Sequence, residues 1–374
     1  NALARELVAQ AGADPLTASR VYALLSVAQY DALQAAAHFQ RQYARQLPDA
    51  ADGGVTPLVQ TRAPGSYPSE QAALAGASAT VLQQFFPQAT QRLQQARQEA
   101  GEARLWAGVN CRSDVAAGDA LGQTLAAALV AKSETSLAQV SWDGFIPQGA
   151  GLWIQDPRAP KLPLRPEWGR LKPWLMSAPD EFRAPPPPAF GSAEYQAALA
   201  EVRQISDTRT PEQLRIAKFW ADGAGTATPP GHWNQIAVDL LARQGASELE
   251  AARVLAYLNL ALMDAGISAW DTKYAYWVIR PFNADPAIST PIGRPNHPSY
   301  TSGHASFSGA AAEFLGVVFP GARADLQAQA TEAALSRIYG GIHYRFDGEA
   351  GLTAGRAIGQ VAARRFLEAL AAAP

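Results

Sequence analysis

Cysteine is almost missing from this chain: Cys111 is the only one in 374 residues. An intrachain disulfide and a thiolate zinc site are both excluded, and the lone thiol reads as a small buried hydrophobe. Histidine is scarce too. His38, His232, His297, His304 and His343 are all there are, and the last three fall in the final quarter. No run approaches the roughly 20 apolar residues of a membrane-spanning helix; the longest candidate, 309–319, is interrupted by Glu313. Excess charge is absent as well. A net charge of −2 sets up no long-range field for nucleic acid or acidic membranes, so neither a nucleic-acid partner nor a membrane span is expected, and any charged site must be local. Strand signals are few. Short candidates near Val140 and Gly151 make a hairpin at most.

What is present is helical pattern. A long apolar-periodic segment runs over 15–46, with Thr17 or Ser19 as its cap. A Gly- and Pro-dotted loop covers 51–67. Ser69 opens a second stretch that runs through Phe85 and Phe86 into a Gln/Arg-rich tail near Gly108. A third, alanine-rich helix covers 113–132. From 136 to 190 prolines and tryptophans dominate, with Trp142, Trp153, Trp168, Trp174 and four consecutive prolines from Pro185. So long an irregular excursion is a candidate lid or dimer contact, or simply a loop pinned to the core by its aromatics. Helices resume at Ser192. Thr210-Pro211-Glu212-Gln213 is a capping box with proline at the first helical position. A second irregular segment covers 223–232, and further helices follow over 234–244, 247–266, 302–319, 325–339 and 346–372. The expected fold is all-α: one large helical domain over 1–374, packed as one or two bundles with the site in the bundle core. It comprises N-terminal helices (1–135), the irregular insertion (136–190) and site-bearing helices (191–374), with the motifs at 273–347.

Three segments carry chemistry. In Lys273-Tyr-Ala-Tyr-Trp-Val-Ile-Arg280-Pro281 two cations seven apart share one helix face, and Pro281 stops the helix. The neighbours are aromatic and apolar, which is unlike a solvated basic face. In Pro298-Ser-Tyr-Thr301-Ser302-Gly303-His304 a loop enters a helix N-terminus, where free N–H groups and the dipole favour an anion. Gly303 permits close approach, Ser302 offers a hydroxyl, and the dipole favours a neutral His304. The plainer reading of Ser302 is an ordinary N-cap. In Ser336-Arg337-Ile-Tyr-Gly-Gly-Ile-His343-Tyr-Arg-Phe-Asp347 the glycine pair breaks the helix. Asp347 is then placed to accept the other ring N–H of His343, or the two are simply a core pair. Together Lys273, Arg280, Ser302, Gly303, Arg337 and His343 suit one tetrahedral oxyanion, phosphate or vanadate. They do not suit a divalent cation, which wants clustered carboxylates.

In this order the three motifs resemble the vanadium-dependent haloperoxidases and the wider type-2 phosphatidic-acid phosphatase superfamily. The likeness to the haloperoxidases extends to Phe219-Trp220-Ala-Asp222, Thr228-Pro-Pro-Gly-His-Trp-Asn234 and Asp264-Ala-Gly-Ile-Ser-Ala-Trp270. One departure is Thr301, where proline is usual. The resemblance implies an enzyme with vanadate as cofactor, a site that phosphate can also occupy. His343 would bond the vanadium, while Lys273, Arg280, Arg337, Ser302 and the Gly303 amide hold the oxygens, and His304 serves as acid/base. Lys273 would also polarise bound peroxide. The implied activity is oxidation of bromide or iodide by hydrogen peroxide to hypohalous acid. The halide preference rests on His297 and Trp270, the halide-pocket candidates. The rival is an acid phosphatase acting on phosphate esters through a phosphohistidine on His343, with His304 protonating the leaving alcohol. Asp222 is expected to pair with Arg337. A chain that opens on Asn1 fits either removal of a signal peptide or trimming, and the resemblance implies a periplasmic or secreted protein.

Overall fold

The computed structural model describes residues 1–61, 63–157 and 160–372; residues 158 and 159 of the insertion lie outside the described residues. The protein is all-α, as expected, with helices α1 (Ala2–Gln10), α2 (Pro15–Tyr43), α3 (Pro48–Ala51), α4 (Glu70–Phe85), α5 (Thr90–Trp106), α6 (Arg112–Ala138), α7 (Ala193–Thr208), α8 (Pro211–Phe219), α9 (Thr228–Gln244), α10 (Glu248–Tyr276), α11 (Pro281–Ala284), α12 (Gly303–Val318), α13 (Arg323–Tyr339) and α14 (Arg345–Ala371). Among the described residues no helix is long and apolar enough to cross a membrane. The only β pairing among them is one antiparallel bridge, Leu152 to Val278, rather than a hairpin near Val140.

Several boundaries differ from the sequence reading, each for a local reason. Asp14, not Thr17 or Ser19, caps α2: its carboxylate accepts the N–H groups of Leu16 and Thr17 at 2.9 and 3.0 Å. The stretch from Ser69 is two helices rather than one, because Pro87 cannot continue α4 and starts a 3-10 turn over Pro87–Ala89. Helix α9 begins at Thr228, six residues before the expected start. Pro229 and Pro230 sit in its first turn, where missing N–H groups cost nothing. Cys111 is exposed rather than buried. The capping box at Thr210 forms as read, with bonds of 3.1 Å to the Gln213 N–H and 2.9 Å back from the Thr210 N–H.

The chain divides into two compact units: 1–11, 20–135 and 241–256 in the first; 12–19, 136–240 and 257–374 in the second. In the first, α4 and α6 approach backbone to backbone. A Cβ on Gly122 would lie 1.9 Å from the Ala73 carbonyl, so only glycine fits there. In the second, α12 and α14 pack in the same way through Gly355, where a Cβ would meet the Ser306 carbonyl at 2.2 Å.

The excursion belongs to the second unit. Trp153 and Trp168 are buried, so two of its four tryptophans do anchor it. Its firmest tie is Asp264 on α10, whose carboxylate accepts the N–H groups of Trp174, Leu175 and Met176 at 2.9, 2.7 and 3.0 Å. Burial outweighs these three bonds and pushes the Asp264 carboxyl up to about 6.

Candidate oxyanion site

Helix α10 continues ten residues past Gly266 and carries Lys273 in its last turn. The helix then ends differently from the sequence reading. Trp277 takes a left-handed backbone, φ 51°, and the chain leaves as an extended segment bonded to the excursion through Trp153 N–H to Trp277 carbonyl, 2.6 Å, and Ile279 N–H to Gly151 carbonyl, 2.9 Å. Arg280 is therefore the N-cap residue of α11, with extended dihedrals. Lys273 and Arg280 do not share a helix face. The turn at Trp277 brings them together instead.

Both cations are fully buried. The Lys273 ammonium donates to the carbonyls of Pro298 and Ser299, each at 2.9 Å, and to that of Thr301. It thereby holds the loop that leads into α12. Burial, reinforced by the Arg280 charge, pushes its pKa down, and Asp347 opposes the shift. Arg280 spreads its guanidinium over the His297 carbonyl (2.9 Å), the Ile342 carbonyl (2.7 Å), His343 Nε2 (3.0 Å) and His297 Nδ1 (3.0 Å). Burial lowers its pKa to about 10, which leaves it charged at neutral pH.

His343 lies in the break between α13 and α14. Its Nδ1 is 2.7 Å from Asp347 Oδ2, the i,i+4 pairing read from the sequence. Arginine can only donate, so Nε2, facing Arg280, is the unprotonated nitrogen and Nδ1 carries the hydrogen. Burial, followed by the charges of Arg280 and Lys273, keeps the ring neutral, its pKa well below the usual histidine value. Asp347 is fully buried and also accepts from the Ser299 hydroxyl at 2.5 Å and the Tyr344 N–H at 3.0 Å. Burial pushes its carboxyl up to about 6 against the pull of Ser299, Lys273 and Arg280.

Ser302 is the N-cap of α12, its Oγ accepting the Ala305 N–H at 3.3 Å. That bond uses a lone pair, so the hydroxyl proton stays available for an oxyanion. A Cβ on Gly303 would touch only the Trp270 ring, at 3.4 Å. His304, in the first turn, directs Nε2 at the Ala221 carbonyl, 3.3 Å away. Burial first, then Arg337, holds its pKa well below the ordinary value. Arg337 is buried near the end of α13, with Nε on the Ser336 hydroxyl (2.8 Å) and Nη2 on the Ala217 carbonyl (2.9 Å). Burial lowers its pKa to about 9.

Trp270, His297, Gly303, His304, Arg337 and His343 wall a cavity of about 410 Å³ in the second unit. Lys273, Arg280 and Ser302 stand behind that wall. The Trp270 ring lies 4.8 Å from that of His297, and its indole N–H is committed to the Leu164 carbonyl at 2.9 Å. Asp222 also reaches the cavity but does not pair with Arg337. His232, unassigned in the sequence reading, takes its carboxylate at 3.1 and 3.3 Å. His232 stands ten residues after Asp222 and stacks on Trp220, which holds the ring beside the carboxylate. Among the described residues no group of three or more His, Cys, Asp or Glu gathers as cation ligands. The converging groups are cations, a hydroxyl, first-turn amides and one unprotonated imidazole nitrogen. That donor set fits a tetrahedral oxyanion such as vanadate or phosphate.

The model of the PAP2 superfamily matches residues 253–369, which contain every one of the three motifs. The likeness to the PAP2 superfamily is therefore confined to this C-terminal segment, about a third of the chain. A curated relative is the vanadium chloroperoxidase of Curvularia inaequalis, 28% identical over 202 residues, with 41% of this chain and 33% of the relative covered. The match thus spans about a third of that relative's length. Among solved structures, a bacterial vanadium-dependent iodoperoxidase is similar with a TM-score of 0.75 at 24% identity, over 96% of this chain and 94% of that one. A bacterial vanadium-dependent chloroperoxidase is similar with a TM-score of 0.69 at 15% identity, over 95% and 92%. At these identities the likeness is one of fold. The buried cations Lys273, Arg280 and Arg337 and His343 all lie in the segment that the family model covers.

Proposed function

We propose that the chain is a vanadate-dependent haloperoxidase that oxidises bromide or iodide with hydrogen peroxide, giving hypohalous acid and water with uptake of one proton. The observation that carries this reading is His343: a neutral imidazole whose unprotonated Nε2 meets Arg280, with Asp347 behind it, on the cavity that Arg337 and Gly303 also line. Vanadate, when bound, supplies the Lewis-acid centre that activates peroxide. His343 Nε2 would ligate it, and Arg280, Arg337, Ser302 and the Gly303 amide would hold its oxygens. Lys273 places its charge behind them while keeping the 298–301 loop in position. Asp347 fixes the His343 tautomer. His304, kept neutral by burial and by Arg337, is ready to take a proton from hydrogen peroxide. His297 and Trp270 form the wall against which a bromide or iodide ion would rest, which supports the halide assignment.

A phosphomonoesterase is the second reading, favoured by the same Nε2, which is also a nucleophile placed for attack on phosphorus. Its weakness is His304, because protonating a leaving alcohol needs the imidazolium that burial and Arg337 disfavour. The test is bromination and iodination of a phenol with peroxide, before and after orthovanadate, beside hydrolysis of an aryl phosphate. Halogenation that requires vanadate and is lost in His343→Ala supports the first reading. Hydrolysis without vanadate, blocked by it, and no halogenation would establish the second.

A further inference from the structure

An aspartate that reaches the cavity wall is a hazard in a site built to hold an anion. Asp222 is such a residue, and Arg337 lines the same cavity. The two are close enough for the Asp222 charge to raise the Arg337 pKa against burial. A direct pair would offset the guanidinium charge and turn its donors away from an oxyanion. The structure shows no such pair. His232 Nδ1 lies against both oxygens of the carboxylate instead.

The His232 ring has little freedom to leave. It stacks on Trp220, with centroids 4.4 Å apart and planes at 16°, and meets the edge of Phe219 at 5.2 Å. Trp220 is itself pinned, its indole N–H donating to Glu332 on α13 at 2.8 Å. Asp222, three residues past the end of α8, takes a left-handed backbone, φ 43°, and its carboxylate meets His232 in the first turns of α9. Meanwhile Arg337 spends Nε on Ser336 and Nη2 on Ala217, and neither bond uses Nη1.

We propose that His232 is a positioning residue that keeps the Asp222 carboxylate occupied, so that the charge of Arg337 remains uncompensated for the oxyanion. This rests on the oxyanion reading of the site but not on which reaction the site performs. It makes a specific prediction about removal: without His232, Asp222 becomes a competitor for Arg337, and removing that carboxylate as well restores the site.

The experiment is calorimetric titration of the full chain with inorganic phosphate and with orthovanadate. His232→Phe keeps an aromatic ring on Trp220 and loses the donor. It is expected to weaken both anions roughly tenfold, the size of one charge-assisted interaction. His232→Gln, which keeps a donor, and the double variant His232→Phe/Asp222→Asn are expected to bind within about threefold of the parent chain. The proposal is overturned if His232→Phe binds as the parent does, or if the double variant stays as weak as His232→Phe. Should His232→Phe not fold, His232→Leu takes its place, alone and combined with Asp222→Asn, and the same outcomes decide. A parent chain that binds neither anion removes the oxyanion reading, and this inference with it. Binding by the parent with no response to His232 removes the inference alone.

Discussion

Two buried aspartates on opposite duties show how this molecule uses one residue type. Asp347 and Asp264 are both fully buried, and burial pushes both carboxyls up to about 6. Asp264 spends its oxygens on three backbone amides of the excursion. Asp347 gives one oxygen to His343, Ser299 and the Tyr344 N–H. The first holds a segment in place and touches no ionisable partner. The second fixes a tautomer inside a cluster of cations. Equal burial and equal direction of shift therefore say little about role; the identity of the partners decides it.

That contrast can be broken experimentally. Asp264→Ala leaves the N–H groups of Trp174, Leu175 and Met176 without their acceptor and is expected to cost on the order of 3 kcal/mol of stability, read from urea unfolding. Oxyanion affinity should hold within about threefold; a loss as large as that of an Asp347 variant would make the excursion part of the site. Asp347→Ala should lower orthovanadate affinity roughly 10- to 100-fold, the usual effect of losing the partner of a ligating histidine, and calorimetry will show it. A sharper distinction comes from pH. The Asp264 carboxyl is raised from 3.8 to about 6 in the folded protein, so the folded state holds the proton more tightly. Its stabilising contribution is fully present below about 4 and is lost as pH rises through 6. Relative to Asp264→Asn, the parent chain should gain roughly 1 kcal/mol on going from pH 7 to pH 5, measured by urea midpoints at both values. The smallest expected effect is Thr210→Ala, which removes an exposed cap and should cost below about 1 kcal/mol while leaving anion binding unchanged.

The same contrast explains what the sequence disclosed. His343 and Asp347 stand four apart, so their contact is set by helix geometry and could be read directly. The caps at Ser302 and Thr210 are equally local, and so is the glycine break before His343. The convergence of Lys273 and Arg280 was legible as a motif but not as geometry. It depends on a left-handed Trp277, a conformation no tryptophan advertises, stabilised by a bridge to residues more than a hundred positions away. Asp264 holds backbone N–H groups some 90 residues distant, and backbone amides carry no sequence signature. Asp222 lines the cavity, but the sequence offered only Arg337 as its partner; the aromatic stack that holds His232 against it is visible only in three dimensions. Gly169 is a further case: a Cβ there would lie 2.3 Å from the Asp271 nitrogen, so the excursion's 3-10 turn rests directly on α10.

The central claim is that His343 and the cations around it hold one tetrahedral oxyanion. Titration of the purified chain with orthovanadate, followed by calorimetry in parallel with His343→Ala, tests it most directly. The account predicts one equivalent bound by the parent chain and binding lost or greatly weakened in the variant. No binding by the parent, or equal binding by both, would contradict it.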